Sequence, residues 1–506
     1  MKLLLATIFV LNLIEFMQSG MMSFGASPIQ GHINASPEDY SIVTAAYASV
    51  AIAVIAKMRW FIERLGWRKF IHGSLIFCVT GAAICGLSES FPQFLLGRVV
   101  MALGGAAFMT SARMLANLIP PSPARMKGII AFATALAIGV ASAPWTVAQF
   151  IEADWFEGIF VLLIALSVLA ALLAAFSLPD EPLPEDSHTT AHFGPLLAMS
   201  AGSFLVLFGF QRALYDFYSG LPWLLFLGAV GLAFVIWFAV HQHQHERPLL
   251  VVKRLVQKRF LTALVVFTIG YFMLGANNSM LPVLMQRGLG FSWHKAGLIQ
   301  SIGLSSALFI FFVKLRIMKI NPSPQKFYAA GFVFLGLFGW LLSRLTPDAN
   351  LWRDVLPAVA LFGMFIVMIL ATTAIHGFTD LAHDEVAFMH AQQVKNMLSQ
   401  FGIGLGIAST TLLQQWRTAE HSAVLNQRFV SGDAELGRML EQLTGAFSAS
   451  QGAQAGQLAL SQLAQTLNQQ ATLLAQMEYF RGLVYLSVVL GTLLFCQRVI
   501  TVRKPA

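Results

Sequence analysis

Residues 157–177 read EGIFVLLIALSVLAALLAAFS, and after Glu157 the run carries no charge. A helix of that length rises about 30 Å at 1.5 Å per residue, which matches the hydrocarbon layer of a bilayer. Working outward, similar stretches recur from Leu3 to Arg498, at 4–26, 39–60, 70–88, 92–118, 128–150, 157–177, 192–212, 219–241, 260–284, 293–313, 327–345, 352–375, 390–413 and 478–498. The pattern predicts an all-α polytopic membrane protein with fourteen spans.

The composition agrees. Hydrophobic residues make up 57% of the 506, charged residues 11%, and mean hydropathy is +0.69, values that a water-soluble domain could not carry on its surface. The pI of about 9.5 follows from basic residues flanking apolar helices and facing anionic lipid, so nucleic-acid binding is not expected. Cys78, Cys85 and Cys496 all lie in apolar runs and behave as small hydrophobes, without a disulfide or redox role. The N-terminal MKLLLATIFVLNLIEFMQSG has Lys2 and an apolar stretch but also Glu15 and no small-x-small cleavage site, which predicts a retained first helix. No Gly-rich phosphate loop, acyltransferase pattern or zinc-spaced set appears, so no enzyme activity and no cofactor are expected. Of His241, His243 and His245, only the outer two share a helical face, with no acid or thiol pair nearby, so no metal is expected either.

The basic clusters Arg64–Lys69, Arg125–Lys127, Arg247–Arg259, Lys314–Lys326 and Arg498–Lys504 put both termini in the cytoplasm. The acidic stretch LPDEPLPEDSHTTA, 178–191, reads as a linker after a first six-helix unit. A long external segment at 414–477 is rich in Gln, Ala, Leu and Ser. Its Leu460, Leu463, Leu467 and Leu474 stand at helical spacing, which predicts an amphipathic helix running into the last span, with low-complexity disorder as the alternative.

Between the second and third spans the chain reads RWFIERLGWRKF. Glu63, Arg64, Gly66, Arg68 and Lys69 fall in register with the Gly-x-x-x-Asp-Arg-x-Gly-Arg-Arg/Lys loop, so the chain resembles the major facilitator superfamily. In that family the loop acts as a cytoplasmic gate motif. Arg59 stands at the place of the first glycine and Trp67 at the first of the two closing basic positions. FLLGRVVMALGGAAF resembles the second motif through Arg98, Gly104 and Gly105, and ALAIGVASAPWTVAQF resembles the antiporter motif through Gly139 and Pro144, with Val147-Ala148 where paired glycines are usual. ERPLLVVKRLVQKRF, LPVLMQRGLGFSWHKAGL and HAQQVKNMLSQFGIGLGIA resemble the fourteen-helix drug:proton antiporter-2 branch, the EmrB/QacA-like exporters. The resemblance implies two six-helix bundles, 1–177 and 258–506, two added helices at 192–241, and a basic loop at 242–257. It also implies a bacterial inner membrane, an HlyD-like periplasmic adaptor and an outer-membrane channel.

A charge held at bilayer depth costs at least about 2.5–3.5 kcal/mol, so embedded charges carry the functional expectation. Glu15 lies near mid-depth of the first span, and Arg98 in the fourth is within side-chain reach if the two spans are neighbours. Glu15 is thus either a proton carrier, protonated when left dry and ionised beside the arginine, or a static partner of Arg98. The family's own acid belongs a few residues later, where Gln18 or Ser19 stands. Arg113 and Lys395 lie nearer the inner ends of their spans. Met22, Asn277, Asn278 and Asn396 are expected to line a substrate cavity, with Phe16, Met17, Met21 and Phe24 adding a soft apolar surface. The expected function is proton-coupled efflux of amphipathic small molecules by alternating access; the alternative is an importer or facilitator on the same fold.

Overall fold

In a computed structural model the chain is described at residues 1–120, 122–181, 189, 193–245, 248–428, 434–451 and 454–501. Most of the acidic linker, Arg247, Arg503 and Lys504, and parts of the 414–477 segment lie outside these residues. Among the described residues every regular element is helical: α1 Lys2–Phe24, α2 Ala26–His32, α3 Pro37–Gly86, α4 Phe91–Gly105, α5 Phe108–Leu118, α6 Pro123–Glu152, α7 Gly158–Ser177, α8 Phe193–Gln244, α9 Val252–Leu255, α10 Lys258–Val283, α11 Trp293–Ile320, α12 Pro324–Leu342, α13 Leu356–His376, α14 Glu385–Arg428, α15 Ala434–Gln451 and α16 Ala455–Cys496.

Local chemistry sets several boundaries. Before α3, Asp39 N donates to Ser36 Oγ (3.0 Å) and Ser36 N donates to Asp39 Oδ2 (3.2 Å), a reciprocal cap with Pro37 at the first helical position. The 50 residues of α3 are broken at Gly66, whose φ of +77° is a conformation that L side chains rarely adopt. Helix α4 packs on both arms of α3. Ala102 and Ala106 meet Tyr47 and Ala51 on the first arm, and Gly104 meets Ser74 and Cys78 on the second. The two arms therefore lie side by side.

Among the described residues twelve helices are long and apolar enough to cross a membrane, counting Phe91–Leu118 once, α3 once and α8 as 193–213 and 220–244. The fourteen expected from the sequence are not reached by this measure, because α3 counts once and α14 is too polar along its 44 residues to count. The halves of α8 form a hairpin in which Gly202 and Gly231 lie against each other's carbonyls. Large apolar side chains such as Leu172, Phe176, Leu225 and Phe226 face outward, as lipid requires.

Helix α1 packs on α5, α6 and α7, while α10 packs on α13 and α14, and α12 on α13 and α16. The two groups meet along two principal seams, α6 with α11 and α3 with α14. Most of the segment read as a long external loop is helical, since α14 continues to Arg428, α15 follows and α16 runs unbroken into the last span. The amphipathic helix expected there is present, although its buried positions are Ala455, Ala459, Leu463, Ala471 and Leu473, while Leu460 and Leu474 are exposed.

A methyl group at Gly104 would sit 1.9 Å from Ser74 O, whereas one at Gly73 meets nothing within 4 Å. Gly104→Ala is expected to destabilise the protein by about 1–3 kcal/mol, and Gly73→Ala to be neutral. Thermal denaturation in detergent, followed by size-exclusion recovery, distinguishes the two; equal recovery would mean that α3 and α4 are not held at this distance.

Candidate transport cavity and its closed end

Helix α1 presents Glu15, Gln18 and Met22 on one face, at spacings of three and four. That face lines a cavity of about 250 Å³, with Tyr47 and Arg98 on one wall and Gln400 on another. The lining continues beyond the C-terminal end of α1 to Ser27, Gln30, Gln286, Arg287 and Gln414, so the cavity runs toward the face opposite the N-terminus.

Glu15 is buried and held by amides. Gln400 Nε2 donates to its Oε1 at 3.0 Å, and Gln18 Nε2 lies 3.4 Å from its Oε2 while donating to Tyr47 Oη at 2.6 Å. Arg98 and Glu15 form no close ion pair, one of the two arrangements the sequence left open, since no contact between them reaches 4.0 Å. Its guanidinium lies over the Tyr47 ring, 4.2 Å from the centroid, with Nη1 3.4 Å from Met101 Sδ. Tyr47 and Gln18 thus stand between the two charges. Glycines make room for this arrangement: an added Cβ at Gly105 would lie 3.2 Å from Gln18 Nε2, and one at Gly139 would lie 3.0 Å from Phe16 Cβ.

The remaining expected residues are spread out. Met22 lines the cavity. Asn277 does not; its Nδ2 donates to Met273 O at 2.8 Å and its Oδ1 accepts from Tyr479 Oη at 3.1 Å, joining α10 to α16. Asn278 lines a separate pocket of about 20 Å³ together with Phe16, Ser19 and Gly20. Asn396 Nδ2 donates to Thr110 Oγ1 at 2.6 Å, in the seam between α5 and α14. Met17 and Met21 are core residues, and Phe24 lines the cavity and packs edge-on against Trp293. Pro144 lies inside α6, and its carbonyl faces Gly297 of α11, where an added Cβ would come within 2.7 Å. The next residue's N–H, that of Trp145, donates to Ser301 Oγ at 2.9 Å. The antiporter-like motif therefore serves as a contact between the halves. His241 and His245 stack on each other at 5.6 Å.

The face carrying the N-terminus is closed. Arg59 Nε donates to Glu63 Oε1 at 2.7 Å, and Arg59 Nη1 lies 2.6 Å from His390 Nε2 on α14. Glu63 Oε2 accepts from Thr189 N and Oγ1, each at 2.8 Å, and Arg64 Nη2 donates to Thr189 O at 2.9 Å. Arg68 Nε donates to Leu178 O at 3.0 Å, and Arg68 and Lys69 both lie 4.0 Å from Asp180. An added Cβ at Gly66 would come within 2.9 Å of Asp180 O. Gln393 Nε2 donates to Ile55 O at 2.7 Å across the same seam. The large cation at position 59 replaces close helix contact with a long-range tie to α14. Beyond it, Asp384 accepts from Ala387 N (3.0 Å) and from Arg254 Nη1 (2.8 Å), which hold its carboxyl below the usual range.

Comparison with known proteins agrees with this architecture. Residues 8–192 match the sequence profile of the Major Facilitator Superfamily. The MFS-type transporter Rv1250 of Mycobacterium tuberculosis is 28% identical over 368 residues, covering 71% of this chain and 60% of that protein. The chain is 22% identical to MdtD of Escherichia coli O81, a protein named for multidrug resistance, over 79% of this chain and 82% of that one. For MdtD of Pectobacterium atrosepticum the matched stretch spans 56% of the relative. In fold, the chain is similar to a bacterial homologue of the lysosomal transporter Spinster (TM-score 0.61, 14% identity, 98% of this chain and 97% of that one). It is also similar to a proton-dependent oligopeptide transporter (TM-score 0.59, 14% identity, 98% of each). The fold is that of multi-pass membrane proteins, and the proteins it resembles are transporters. Over residues 8–192 the chain is similar to the Major Facilitator Superfamily, and two of its relatives are named for multidrug resistance.

Tyr47, Gln400 and His390 escaped the sequence reading. Gln400 and His390 lie with Gln393 and Asn396 in an unusually polar stretch of α14, which was the available signal. If Arg59 holds the closed end, Arg59→Gln should expose it. In a background with the three native cysteines replaced by serine, Ala56→Cys is expected to react with a soluble maleimide about tenfold faster when Arg59→Gln is added, because removing one partner of a buried charge cluster is costly to the closed state. An unchanged rate would assign the closure to other contacts.

Proposed function

We propose that this transporter exports amphipathic small molecules from the cytoplasm in exchange for protons, with Glu15 as the proton carrier. The observation that carries the reading is Glu15 itself, a buried carboxyl lining the central cavity with neutral amides rather than a cation as its close partners. A carboxyl in that position can hold a proton without breaking an ion pair, and substrate in the same cavity can compete with the proton for it. Arg98, behind Tyr47, is the charge that an ionised Glu15 would approach as the halves rock. Gln18 is the relay between them, and Met22 gives the substrate an adaptable apolar wall.

Several finer readings belong to the same proposal. Counting the arms of α3 separately and adding α14 raises the twelve crossing helices to fourteen and returns both termini to one side. The basic clusters make that side the cytoplasm of a bacterial inner membrane. The bundles are then 1–177 and 258–506, joined through the linker 178–191, the added pair 192–241 and the loop 242–257. Glu63, Arg64, Gly66, Arg68 and Lys69 form the cytoplasmic gate; Pro144 makes the opposing contact, and Gly139 packs α6 on α1. The helices of 414–477 are offered as the docking region for a periplasmic adaptor and, through it, an outer-membrane channel. The relatives named for multidrug resistance support efflux as the direction.

The test uses inverted membrane vesicles carrying a respiration-driven proton gradient and a pH-sensitive dye. Substrate addition is expected to collapse the gradient in the wild type. Glu15→Gln, inserted to the same level, should give no more collapse than vesicles lacking the protein, while still exchanging labelled substrate across an unenergised membrane. Full collapse in Glu15→Gln would remove Glu15 from coupling, and substrate movement out of these vesicles would favour import.

A further inference from the structure

Below Glu15, on the closed side of the cavity, two buried cations lie on the two sides of the seam between the halves. Arg113 on α5 and Lys395 on α14 are both buried. Neither has a carboxylate within 4.0 Å among the described residues. Each lies instead near an aromatic face, Arg113 Cζ 5.8 Å from the Phe132 centroid and Lys395 Nζ 5.4 Å from that of Phe267. The Asn396–Thr110 hydrogen bond, one residue from Lys395 and one turn from Arg113, fixes α14 against α5 at this level.

Two buried cations with no carboxylate partner among the described residues raise the energy of the closed state, and the aromatic faces offset only part of that cost. The rest of the route has the same sign. Gln400, which holds Glu15, lies five residues beyond Lys395, roughly 7–8 Å farther along the same helix. The cavity there is lined by Arg98 and, toward its open end, Arg287, with Glu15 the one carboxylate in its lining. From the closed face outward, the path therefore presents Arg113 and Lys395, then Arg98, then Arg287.

We propose that the cargo is an amphipathic organic anion, such as an aromatic carboxylate, and that Arg113 and Lys395 form its entry subsite. When the α3–α14 seam opens, the anionic group is held between one cation from each half, and its apolar body lies against Phe132 and Phe267. This rests on the export reading above. The anion supplies the counter-charge that both cations lack and so favours drawing the halves together around it.

The experiment is calorimetric titration of purified protein in detergent, without a proton gradient, using three probes on one ring system: anthracene-9-carboxylate, 9-anthracenemethanol and 9-(aminomethyl)anthracene. The carboxylate is expected to bind at least about tenfold more tightly than the ammonium probe, the scale of a charge-assisted contact. Lys395→Gln and Arg113→Gln should each weaken the carboxylate about tenfold and leave the alcohol unchanged, and Lys395→Arg should restore it. A carboxylate bound no more tightly than the ammonium probe by the wild type, including no binding of either, overturns the proposal irrespective of how the variants fold. So does full carboxylate affinity in the folded double variant. Because no gradient is present, failure of proton coupling would leave the ranking intact, and failure of the ranking would leave proton-coupled export standing.

Discussion

A charged side chain inside a hydrocarbon layer must be paired, caged by hydrogen bonds, or placed where water and substrate can reach it. That constraint organises this molecule more than its apolar packing does, since lipid supplies no hydrophobic drive for helices to associate. Its buried charges meet the requirement in different ways. Glu63 is satisfied by Arg59 and Thr189. Glu15 is caged by two amides and opens into the cavity. Arg98 rests on the Tyr47 ring. Lys314 donates to Thr372 Oγ1 at 2.7 Å. Arg113 and Lys395 lie near aromatic faces, with no carboxylate within 4.0 Å among the described residues. The groups left least satisfied are those along the route that substrate would take.

The helices serve this distribution by meeting at two seams that differ in chemistry. The contact of α6 with α11 is made at its centre of small residues and backbone, with Pro144 O against Gly297 and Trp145 N donating to Ser301, and at the end of α6 Gln149 and Glu152 meet His294. The contact of α3 with α14 at the N-terminal face is ionic and polar, through Arg59, His390 and Gln393. A surface of small residues allows the halves to pivot at close range, whereas a few specific polar bonds give a closure that breaks as a unit. Rocking at the first and opening at the second is the movement that alternating access requires.

Much of this was legible in the chain because a charge in an apolar run is conspicuous. Glu15, Arg98, Arg113 and Lys395 could be picked out one by one, and Glu63 with its basic neighbours by spacing. Their partners could not. Gln400 is 385 residues from Glu15 and His390 is 331 from Arg59, so only the tertiary arrangement joins them. Arg59 read as a departure from the glycine of the loop pattern, and the sequence had no means of showing that its length reaches α14. Adjacent asparagines posed another limit. Asn277 and Asn278 differ by about 100° around a helix, and the face each occupies depends on how α10 is rotated by its packing. The 414–477 segment read as a loop because it is polar, but its helices need no continuous apolar face when they pack on one another and continue a span.

The central claim is that a proton and the substrate contend for Glu15. Its most direct test is a count of protons released when substrate binds purified protein in weakly buffered detergent, read with a pH indicator near neutrality. The account predicts net release on binding to the wild type, and none for Glu15→Gln at equal substrate occupancy. Binding without proton release in the wild type, or the same release from both proteins, would contradict it.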